Sequence, residues 1–366
     1  MTAQKPILVA MSGGVDSSTA AALLKAQECE AIGVTLKLAN PGSPGEGRRG
    51  CCGVAGADVA RRAASVIGIP FYALDYVEFF EETVVDYFCH AWVRRPPRQV
   101  LAGRTPNPCV ECNRAVKFGR LLDFADSLGA AGVATGHYAR LCRDRRTGRY
   151  LLKKGLDAAK DQSYFLYSLS QEQLSRAMFP LGEMTKEETR KRAKSFGLAV
   201  HDRPASQDVC FVADGDYRRF LAERFSESLQ PGPIVNTRGD VLGEHSGVAF
   251  YTVGQRKGLG IAAAEALYVL AVQPALRTVV VGARKELMLS RLRVTNMNWI
   301  AFERPEGPLN VTVKVRYRQP EVPALVAPDG DGCAEVAFQA PQAAVASGQS
   351  AVFYDGDTVL GGGIVE

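Results

Sequence analysis

The sequence predicts an α/β protein with a doubly wound parallel sheet in its N-terminal part, followed by a small central domain and a C-terminal antiparallel β-barrel. Up to about residue 205, short continuous apolar runs alternate with helical stretches, which is typical of a parallel sheet covered on both faces. From about residue 284, short alternating segments separated by turn signals dominate, which is typical of a small barrel. These two sequence patterns together predict the fold class.

The N-terminal elements follow one another as strand, helix and strand. Apolar runs predict the strands Ile7–Met11, Ala31–Leu36, Phe71–Leu74 and Gly132–Thr135. The stretches between and after them predict the helices Ser17–Ala26, Ala57–Ile67, Glu78–Val93, Arg114–Leu128 and Thr185–Phe196. Thr185 is suited to cap the last helix because Glu188 follows three residues on. Alternation of this kind implies a sheet with helices on both faces.

The composition changes after residue 205, where glycine and turn signals become frequent. The last part of the chain predicts strands at Val311–Tyr317, Ala334–Gln339, Ser350–Tyr354 and Val359–Val365, with Asp355-Gly356 as a hairpin turn. A chain of 366 residues is also too long for one ordinary core. We therefore expect three domains, formed by residues 1–205, 206–283 and 284–366.

The overall composition excludes several classes of protein. With 46% hydrophobic and 23% charged residues, the chain has the balance of a globular protein rather than a disordered one. Its apolar runs are shorter than the ~20 residues that span a bilayer, and its N-terminus lacks the zones of a signal peptide. Nine irregularly spaced cysteines do not form a disulfide framework. We expect a cytoplasmic protein without a membrane partner, and the net charge of +5 is compatible with RNA.

The segment Ser12-Gly-Gly-Val-Asp-Ser17 directly follows the first strand and opens the first helix. Adjacent glycines let backbone N–H groups turn inward, and the helix N-terminus adds partial positive charge, so an anion is favoured here. The hydroxyls of Ser12 and Ser17 can bind phosphate oxygens, and Asp16 could help to hold a metal ion. The segment is not a Walker A loop, because no Gly-Lys-Ser/Thr ends it. It resembles the PP-loop of enzymes that split ATP between its α- and β-phosphates.

Two cysteine-containing blocks extend the resemblance. They are Thr105-Pro-Asn-Pro-Cys-Val-Glu-Cys-Asn-Arg-Ala-Val-Lys-Phe118 and Ser206-Gln-Asp-Val-Cys-Phe-Val212. Together with Thr135-Gly-His-Tyr138, Lys160-Asp-Gln-Ser-Tyr-Phe-Leu166 and Gly254-Gln-Arg-Lys-Gly-Leu-Gly260, they closely resemble tRNA-specific 2-thiouridylases. The resemblance covers effectively the whole chain, and the blocks are long and occur in the same order. It implies an adenine nucleotide alpha-hydrolase-like N-terminal domain.

The resemblance implies that the chain replaces the C2 oxygen of a wobble uridine with sulfur, in the tRNAs for Glu, Gln and Lys. Adenylation by ATP makes the oxygen a leaving group, and Mg²⁺ is expected with ATP. A cysteine persulfide supplies sulfur, and a second thiol attacks its bridging sulfur. By resemblance, Cys210 carries the persulfide and Cys112 is the nucleophile. The implied partners are the anticodon arm of tRNA and a persulfide donor protein, and the chain is expected to be a monomer.

The remaining site residues also come from the resemblance. For ATP they are Ala10, Met11, Ser12, Gly13, Gly14, Val15, Asp16, Ser17, Leu36 and Gly136. For tRNA they are Asn107, Pro108, Cys109, His137, Lys160, Asp161, Gln162, Arg316, Tyr317 and Gln349. Strand ends independently favour Leu36 and Gly136, because ligands bind at the carboxyl edge of open α/β sheets. Taken alone, His137 is as well explained as a satisfied buried histidine, and the barrel residues as solvated strand positions.

Cys109 departs from the pattern, since part of the family has aspartate at this position. Cys109 could be an accessory catalytic group or a neutral variant. Alternatively, Cys109, Cys112 and Cys210 could hold a [4Fe–4S] cluster with one open iron. A zinc site would usually need a fourth cysteine or histidine ligand nearby. The persulfide route is the preferred interpretation. Of the other cysteines, Cys29, Cys89, Cys142 and Cys333 are expected to be small buried residues, and the sequence does not assign Cys51-Cys52.

Two other functions compete with sulfur transfer. An amide-forming PP-loop ligase would use the same nucleotide loop, but it would not need the pair Cys112 and Cys210. An RNA-binding protein with a vestigial loop would need neither the intact segment from Ser12 to Ser17 nor both cysteines. Release of pyrophosphate separates an enzyme from a binding protein, and incorporation of sulfur into tRNA separates the transferase from the ligase.

Overall fold

The computed structural model describes residues 5–39, 54–90, 104–202, 209–212, 216–225, 229–330, 332–343 and 345–366. Three parts of the sequence lie outside these ranges. They are the segment Ala39–Gly50 beyond its first residue, for which the glycines and prolines predict a flexible surface loop, the pair Cys51-Cys52, and the segment Ser206-Gln-Asp. The strands are β1 Ile7–Ala10, β2 Ala31–Lys37, β3 Phe71–Asp75, β4 Gly132–Ala134, β5 Ala139–Arg143, β6 Tyr150–Lys154, β7 Ala177–Met178, β8 Gly232–Val235, β9 Val241–His245, β10 Tyr268–Gln273, β11 Thr278–Gly282, β12 Met288–Trp299, β13 Leu309–Lys314, β14 Val322–Pro328, β15 Ala334–Ala343, β16 Ser350–Asp355 and β17 Thr358–Val365.

The helices are shorter and more interrupted than the strands. The α-helices are α1 Val15–Ala26, α2 Val54–Ile67, α3 Val77–Phe80, α4 Asp86–His90, α5 Pro108–Glu111, α6 Leu121–Ser127, α7 Gln171–Ser175, α8 Lys186–Ser195 and α9 Tyr217–Phe225. Two π-helical segments, Glu81–Val85 and Cys112–Arg120, join α3 to α4 and α5 to α6. Short 3₁₀ turns occur at Ser163–Phe165, Val248–Phe250, Pro274–Leu276 and Arg284–Leu287. Within the described ranges, no helix has the length and apolarity needed to cross a membrane.

The N-terminal sheet has the order β3-β2-β1-β4-β7, and all its pairs are parallel, as the sequence predicts. Successive residues of β1 face opposite sides, so Leu8 packs into one apolar cluster and Val9 into another. Both are fully buried, which explains why the strand is apolar throughout rather than alternating. Helices α1, α2 and α8 cover one face, where alanines such as Ala60 and Ala193 allow close packing.

The strand order places a topological switch point between β1 and β4. From β1 the chain moves to β2 on one side, and the strand on the other side of β1 is β4. Ligands of open α/β sheets bind at the carboxyl ends of the strands beside such a point. The segment from Met11 to Ser17 follows β1, and Thr135-Gly-His follows β4. The topology therefore directs both segments into one crevice.

The helix that carries Cys112 begins six residues earlier than predicted. The predicted helix starts at Arg114 and so leaves Cys109 and Cys112 in a preceding loop, and this is wrong. Pro108 occupies the first helical position after Asn107, a position where its missing N–H costs nothing. Both cysteines therefore lie in the first turns of one helix, which continues through the π-helical segment into α6.

The C-terminal strands form a closed antiparallel barrel, which confirms the predicted architecture. Six strands close the ring in the order β12-β15-β14-β13-β16-β17, because β12 also pairs with β17. The long strand β12 pairs with β15 through its first half and with β17 through its second. Asp355-Gly356 makes the predicted hairpin, with Gly356 at φ 56°. The central region forms a separate four-stranded sheet in the order β10-β11-β8-β9.

One pairing joins the two ends of the molecule. The hairpin β5–β6, which belongs to the N-terminal part of the sequence, adds to the outer side of β17. Arg140 and Lys153 of this hairpin form ion pairs with Asp357, and Lys154 pairs with Glu321. The sequence analysis did not predict these two strands, and they extend the barrel sheet to eight strands.

We expect Gly363→Ala to destabilise the closed barrel. A Cβ atom at Gly363 would lie 2.5 Å from the carbonyl oxygen of Thr295, at the β12–β17 seam that closes the ring. Such overpacking costs about 1–3 kcal/mol. Denaturant unfolding should therefore show a lower midpoint. Gly307→Ala is the matched control, because nothing lies within 4 Å of its added Cβ; equal stabilities of the two variants would contradict the expectation.

Candidate active site

The nucleotide loop is a rigid turn between β1 and α1. Gly13 has φ 75°, and a Cβ atom there would lie 2.5 Å from the carbonyl oxygen of Gly56, so both conformation and space require glycine. The Ser17 hydroxyl accepts a hydrogen bond from the Ser12 backbone N–H at 3.1 Å and donates to the carbonyl of Gly14 at 3.3 Å. The loop is therefore closed on itself before any ligand binds.

The second wall of the crevice is the segment after β4. A Cβ atom at Gly136 would lie 2.6 Å from the backbone nitrogen of Ser17, so the two backbones pass almost in contact. Leu36 is buried near the end of β2, which pairs with β1 along its length. The structure thus brings together the loop from Met11 to Ser17 and Gly136, with Leu36 on the neighbouring strand.

Asp16 is engaged by protein groups. Lys186 Nζ lies 2.5 and 2.7 Å from its two carboxylate oxygens, and the Tyr138 hydroxyl donates to Oδ1 at 2.8 Å. The same hydroxyl contacts Thr189 Oγ1 at 3.0 Å, on helix α8. The expectation that Asp16 helps to hold a metal ion is therefore not supported, because a lysine occupies the position a cation would take. Asp16 instead ties α1 to α8.

His137 is buried and neutral beside this crevice. Its Nδ1 lies 2.7 Å from Thr135 Oγ1, and its ring packs between Phe118 and Phe179. Burial, with a smaller contribution from the Lys117 charge, holds the pKa of His137 well below 6.5. A neutral imidazole here can donate or accept one hydrogen bond but carries no charge for pairing with phosphate.

The two cysteines of the helix face different surroundings. Cys109 is exposed, whereas Cys112 is buried in the core that contains Val116 and Leu8 of the sheet. A π-helical segment begins at Cys112, and segments of this kind are often found at functional sites. Near its end, Gly119 leaves room for the Arg114 carbonyl, which would lie 3.0 Å from an added Cβ.

Polar side chains from other elements hold this segment. The Gln173 amide of α7 donates to the carbonyl of Arg114 at 2.9 Å and to that of Phe118 at 2.6 Å. Asn113, adjacent to Cys112, donates to the carbonyl of Phe165 at 3.1 Å. The two Gln173 bonds go to backbone carbonyls of the segment, the Asn113 bond ties the segment to Phe165, and together they fix its orientation.

Cys210 lies in the short described segment 209–212 and is half-buried. The next residue, Phe211, makes edge contacts with Phe80 and Phe88, at centroid distances of 5.9 and 5.5 Å, and packs against Phe220. Cys210 packs against the same apolar cluster that contains Cys112. Both side chains are thiols in the structure, and they border one core from different parts of the chain.

The described residues do not form a metal site. Among them, no group of three or more histidine, cysteine, aspartate or glutamate side chains could hold a metal ion. Cys109, Cys112 and Cys210 are all described, and they do not form such a group. The arrangement of ligands therefore does not favour the iron–sulfur interpretation, and it leaves Cys112 and Cys210 as thiols for sulfur chemistry.

The other cysteines are less uniformly buried than expected. Cys89 is buried in the apolar core, and burial raises its pKa to about 12, so it stays a protonated small hydrophobe. Cys29 and Cys333 are half-buried. Cys142 is exposed on β5, which corrects the expectation of burial, because it lies towards the exposed end of the hairpin.

The predicted RNA-contacting loop, Lys160-Asp161-Gln162, is held by hydrogen bonds of its own side chains. The buried carboxylate of Asp161 accepts hydrogen bonds from the backbone N–H groups of Gly155 and Ser163 and from the Ser163 hydroxyl, so it shapes the turn. Gln162 accepts from the backbone N–H of Tyr138, next to His137. Lys160 is half-buried on the same turn. The loop is thus attached directly to the segment after β4.

Three predicted residues of the barrel meet this region from the other side. Gln349 donates to the carbonyl of Thr105 at 2.7 Å, close to Asn107 and Pro108 at the start of the Cys112 helix. The ring of Tyr317 packs against that of Phe165 in a tilted arrangement, with ring centroids 4.4 Å apart. Arg316 donates to the carbonyl of Val253 at 2.8 Å, in the central region. The structure therefore gathers Asn107, Pro108, Arg316, Tyr317 and Gln349 around one junction of the three regions.

Sequence reasoning missed the residues that position this site. Lys186, Gln173 and Asn113 act across long separations, and Lys186 is 170 residues from Asp16. Tyr138 belongs to the segment Thr135-Gly-His-Tyr138, but the sequence does not indicate its partners Asp16 and Thr189. The one available signal was the cap at Thr185, which is confirmed and places Lys186 at the first position of α8.

The parallel sheet, its switch point and the closed glycine loop define a nucleotide-binding α/β enzyme of the PP-loop class. Comparison with known families agrees along the whole chain. The family description "tRNA methyl transferase HUP domain" matches residues 5–214, "tRNA methyl transferase PRC-barrel domain" matches residues 218–283, and "Aminomethyltransferase beta-barrel domain" matches residues 289–365.

Full-length relatives narrow the class to one family. A protein of Heliobacterium modesticaldum named tRNA-specific 2-thiouridylase MnmA is 47% identical over 99% of this chain and 92% of its own length. Proteins of the same name from Moorella thermoacetica and Clostridioides difficile are 48% and 43% identical, over 98% and 100% of this chain and 99% of each relative. The chain belongs to the tRNA-specific 2-thiouridylase family.

We expect the Lys186–Asp16 pair to control ATP affinity through charge. A carboxylate beside the anion-binding loop repels phosphate unless a cation neutralises it. Lys186→Met should therefore weaken ATP binding by about tenfold, or about 1.4 kcal/mol. Asp16→Asn should cause little loss, and the double variant should recover most of the wild-type affinity. Calorimetric titration measures all four proteins; a double variant as weak as Lys186→Met would mean that Lys186 does not act through Asp16.

We expect acid to destabilise the protein through His137. Its pKa is lowered in the folded state, so the unfolded chain binds more protons below pH 6.5. The stability present above that pH is therefore lost as pH falls, at about 1.4 kcal/mol per pH unit for this group. His245, whose pKa burial also lowers, contributes in the same direction. Unfolding free energies between pH 5 and 8 should fall less steeply for His137→Asn; an unchanged slope would exclude this role.

Proposed function

We propose that the chain catalyses ATP-dependent 2-thiolation of the wobble uridine of tRNA. The observation that carries the proposal is that the helix bearing Cys112 packs on the same sheet whose carboxyl edge forms the nucleotide crevice. The full-length relatives named tRNA-specific 2-thiouridylase support the choice of substrate. The tRNAs for Glu, Gln and Lys are the expected set, on family resemblance.

The first step is adenylation of the uridine. The C2 oxygen of the base attacks the α-phosphorus of ATP, an O–P bond forms, and pyrophosphate leaves. Inward N–H groups of the loop from Ser12 to Ser17, at the start of α1, stabilise the negative charge of the phosphates. Gly136, whose backbone nearly touches Ser17, sets the width of the crevice. Mg²⁺ enters with the ATP phosphates, and no protein ligand is assigned to it.

The second step moves sulfur from a persulfide on Cys210. The Cys112 thiolate attacks the bridging sulfur, an S–S bond forms between the two cysteines, and the terminal sulfur leaves as hydrosulfide. Hydrosulfide attacks C2 of the adenylated base and AMP leaves, which restores the ring with sulfur at C2 after loss of one proton. The two cysteine sulfurs end as a disulfide, and a dithiol reductant must regenerate them. The persulfide sulfur itself comes from a donor protein.

The surroundings of the two thiols support this division of roles. Cys112 is buried in the core, and the hydrogen bonds of Asn113 and Gln173 orient its helix. A fixed orientation suits a nucleophile that must attack along a defined direction. Cys210 is half-buried. Partial exposure suits a thiol that must receive sulfur from another protein. The persulfide route needs only these two cysteines, with Cys109 as an accessory group on the exposed side of the helix.

The region around the junction of the three domains is proposed to bind the anticodon arm. Residues 1–205 would perform the chemistry, while residues 206–283 and 284–366 would position the RNA. Arginine pairs with phosphate and aromatic rings stack on unpaired bases, so Arg316 and Tyr317 suit this task. The wobble base has to leave the anticodon stack before its C2 carbonyl can be reached. We propose a monomer that acts in the cytoplasm.

The test is formation of 2-thiouridine in tRNA by iron-free protein supplied with ATP, Mg²⁺ and a persulfide donor. The wild-type protein should form product with release of AMP and pyrophosphate. Cys112→Ser and Cys210→Ser should each reduce product to background, because each removes one sulfur from the exchange. Cys142→Ser is the matched control, since it changes an exposed cysteine on β5.

The possible outcomes separate the interpretations. Activity that appears only after anaerobic iron–sulfur reconstitution would replace the persulfide route with the cluster. Absence of product in both preparations, with pyrophosphate still released, would indicate a ligase and contradict the tRNA substrate. Full activity of Cys210→Ser would contradict the role of Cys210.

A further inference from the structure

The central region contains a glycine-rich loop that the proposed chemistry does not use. We define the central loop as residues 252–260. Gly254, Gly258 and Gly260 all have left-handed conformations, with φ of 86°, 76° and 69°. Other residues adopt this conformation only with strain, so the glycines fix the path of the chain.

Hydrogen bonds hold the central loop in one conformation. Two backbone hydrogen bonds join the loop to Val269 of strand β10. The N–H of Gly254 donates to the carbonyl of Val269 at 2.8 Å, and the N–H of Val269 donates to the carbonyl of Gln255 at 2.9 Å. The Gln255 side chain accepts from the N–H of Thr252 and donates to the carbonyl of Lys257. Leu259 is buried in the core. The loop is therefore ordered before it meets a partner, which lowers the entropic cost of binding.

The tip of the central loop carries cations that face solvent. Arg256 and Lys257 are both exposed, and in the described part of the chain neither forms an ion pair. Arg218 adds a third positive charge, because its guanidinium lies 3.4 Å from the position of a Cβ at Gly258. The guanidinium lies over the rings of Phe250 and Tyr251, at 5.8 and 5.7 Å from their centroids, which holds it beside the loop.

A chain of contacts connects this basic tip to the proposed active site. Arg316 of the barrel donates to the carbonyl of Val253, in the residue before the central loop's first glycine. The ring of its neighbour Tyr317 packs against Phe165, and the carbonyl of Phe165 accepts a hydrogen bond from Asn113, next to Cys112. The central loop is thus fixed on the side of the molecule where the predicted RNA-contacting residues converge.

We propose that the central loop binds the sugar-phosphate backbone of the tRNA, with Arg256 and Lys257 as the phosphate contacts and Arg218 in support. This inference rests on the proposed function. Rigid loops with exposed, unpaired cations suit phosphate groups, which fix the register of a nucleic acid without reading its sequence. The loop offers charges rather than an apolar surface, so the geometry favours RNA over a protein partner.

The test compares Arg256→Ala/Lys257→Ala with the control Arg284→Ala/Lys285→Ala, which removes another adjacent, exposed Arg-Lys pair. Binding of unmodified substrate tRNA is measured by fluorescence anisotropy at salt concentrations from about 50 to about 300 mM. The central-loop variant should bind tRNA about tenfold more weakly. The slope of log affinity against log salt concentration should fall by the equivalent of about one to two released counterions. ATP affinity and thermal midpoint should stay at wild-type values.

Three results would overturn the proposal. One is wild-type affinity and salt dependence in the central-loop variant. Another is an equal loss in the control, which would mean that only net charge matters. The third is normal tRNA binding with slower sulfur uptake from the donor protein, which would make the loop a docking site for that protein. Wild-type protein that thiolates tRNA in parallel shows that such a failure concerns the loop and not the proposed function.

Discussion

The close approach of two backbones at the carboxyl edge of the sheet is the constraint on which the site depends. Gly136 after β4 and Ser17 at the start of α1 pass so near that no side chain fits between them. This contact sets the distance between the nucleotide loop and the segment that carries His137 and Tyr138. Through Tyr138 it also fixes Asp16, Lys186 and the start of α8. The crevice is therefore defined by backbone geometry, and side chains adjust its charge.

The proposed sulfur chemistry uses the same sheet, but Cys112 is positioned by a π-helical segment rather than by a backbone contact. The segment from Cys112 to Arg120 is π-helical, and two of its carbonyls also accept hydrogen bonds from the amide of Gln173. Orientation of Cys112 thus depends on tertiary contacts with α7 and with Phe165, not on helix geometry alone. Contacts through Asn113 and Phe165 link this segment to Tyr317, in the region that is proposed to hold RNA.

The sequence predicts those parts of this arrangement that depend on local chemistry. The glycines of the nucleotide loop, the cap at Thr185 and the Asp355-Gly356 turn all act over a few residues, and the structure has them where the sequence predicts them. The burial of whole strands such as β1 is also readable, because it leaves continuous apolar runs. What could not be read are pairings between distant segments. Gln349 binds the carbonyl of Thr105 across 244 residues, and the alternation in β5 and β6 is too short and too polar to reveal that they extend the barrel.

The hairpin β5–β6 has a consequence for how the molecule folds as a whole. Because it adds to β17, the first and last parts of the chain share one hydrogen-bonded sheet, closed by the charges around Asp357. A chain still emerging during synthesis holds this hairpin without its partner strand, and unpaired strand edges are sites of misassociation. Completion of the C-terminal barrel is therefore what removes that edge, so the N-terminal hairpin reaches its final pairing only after the last strand has been made.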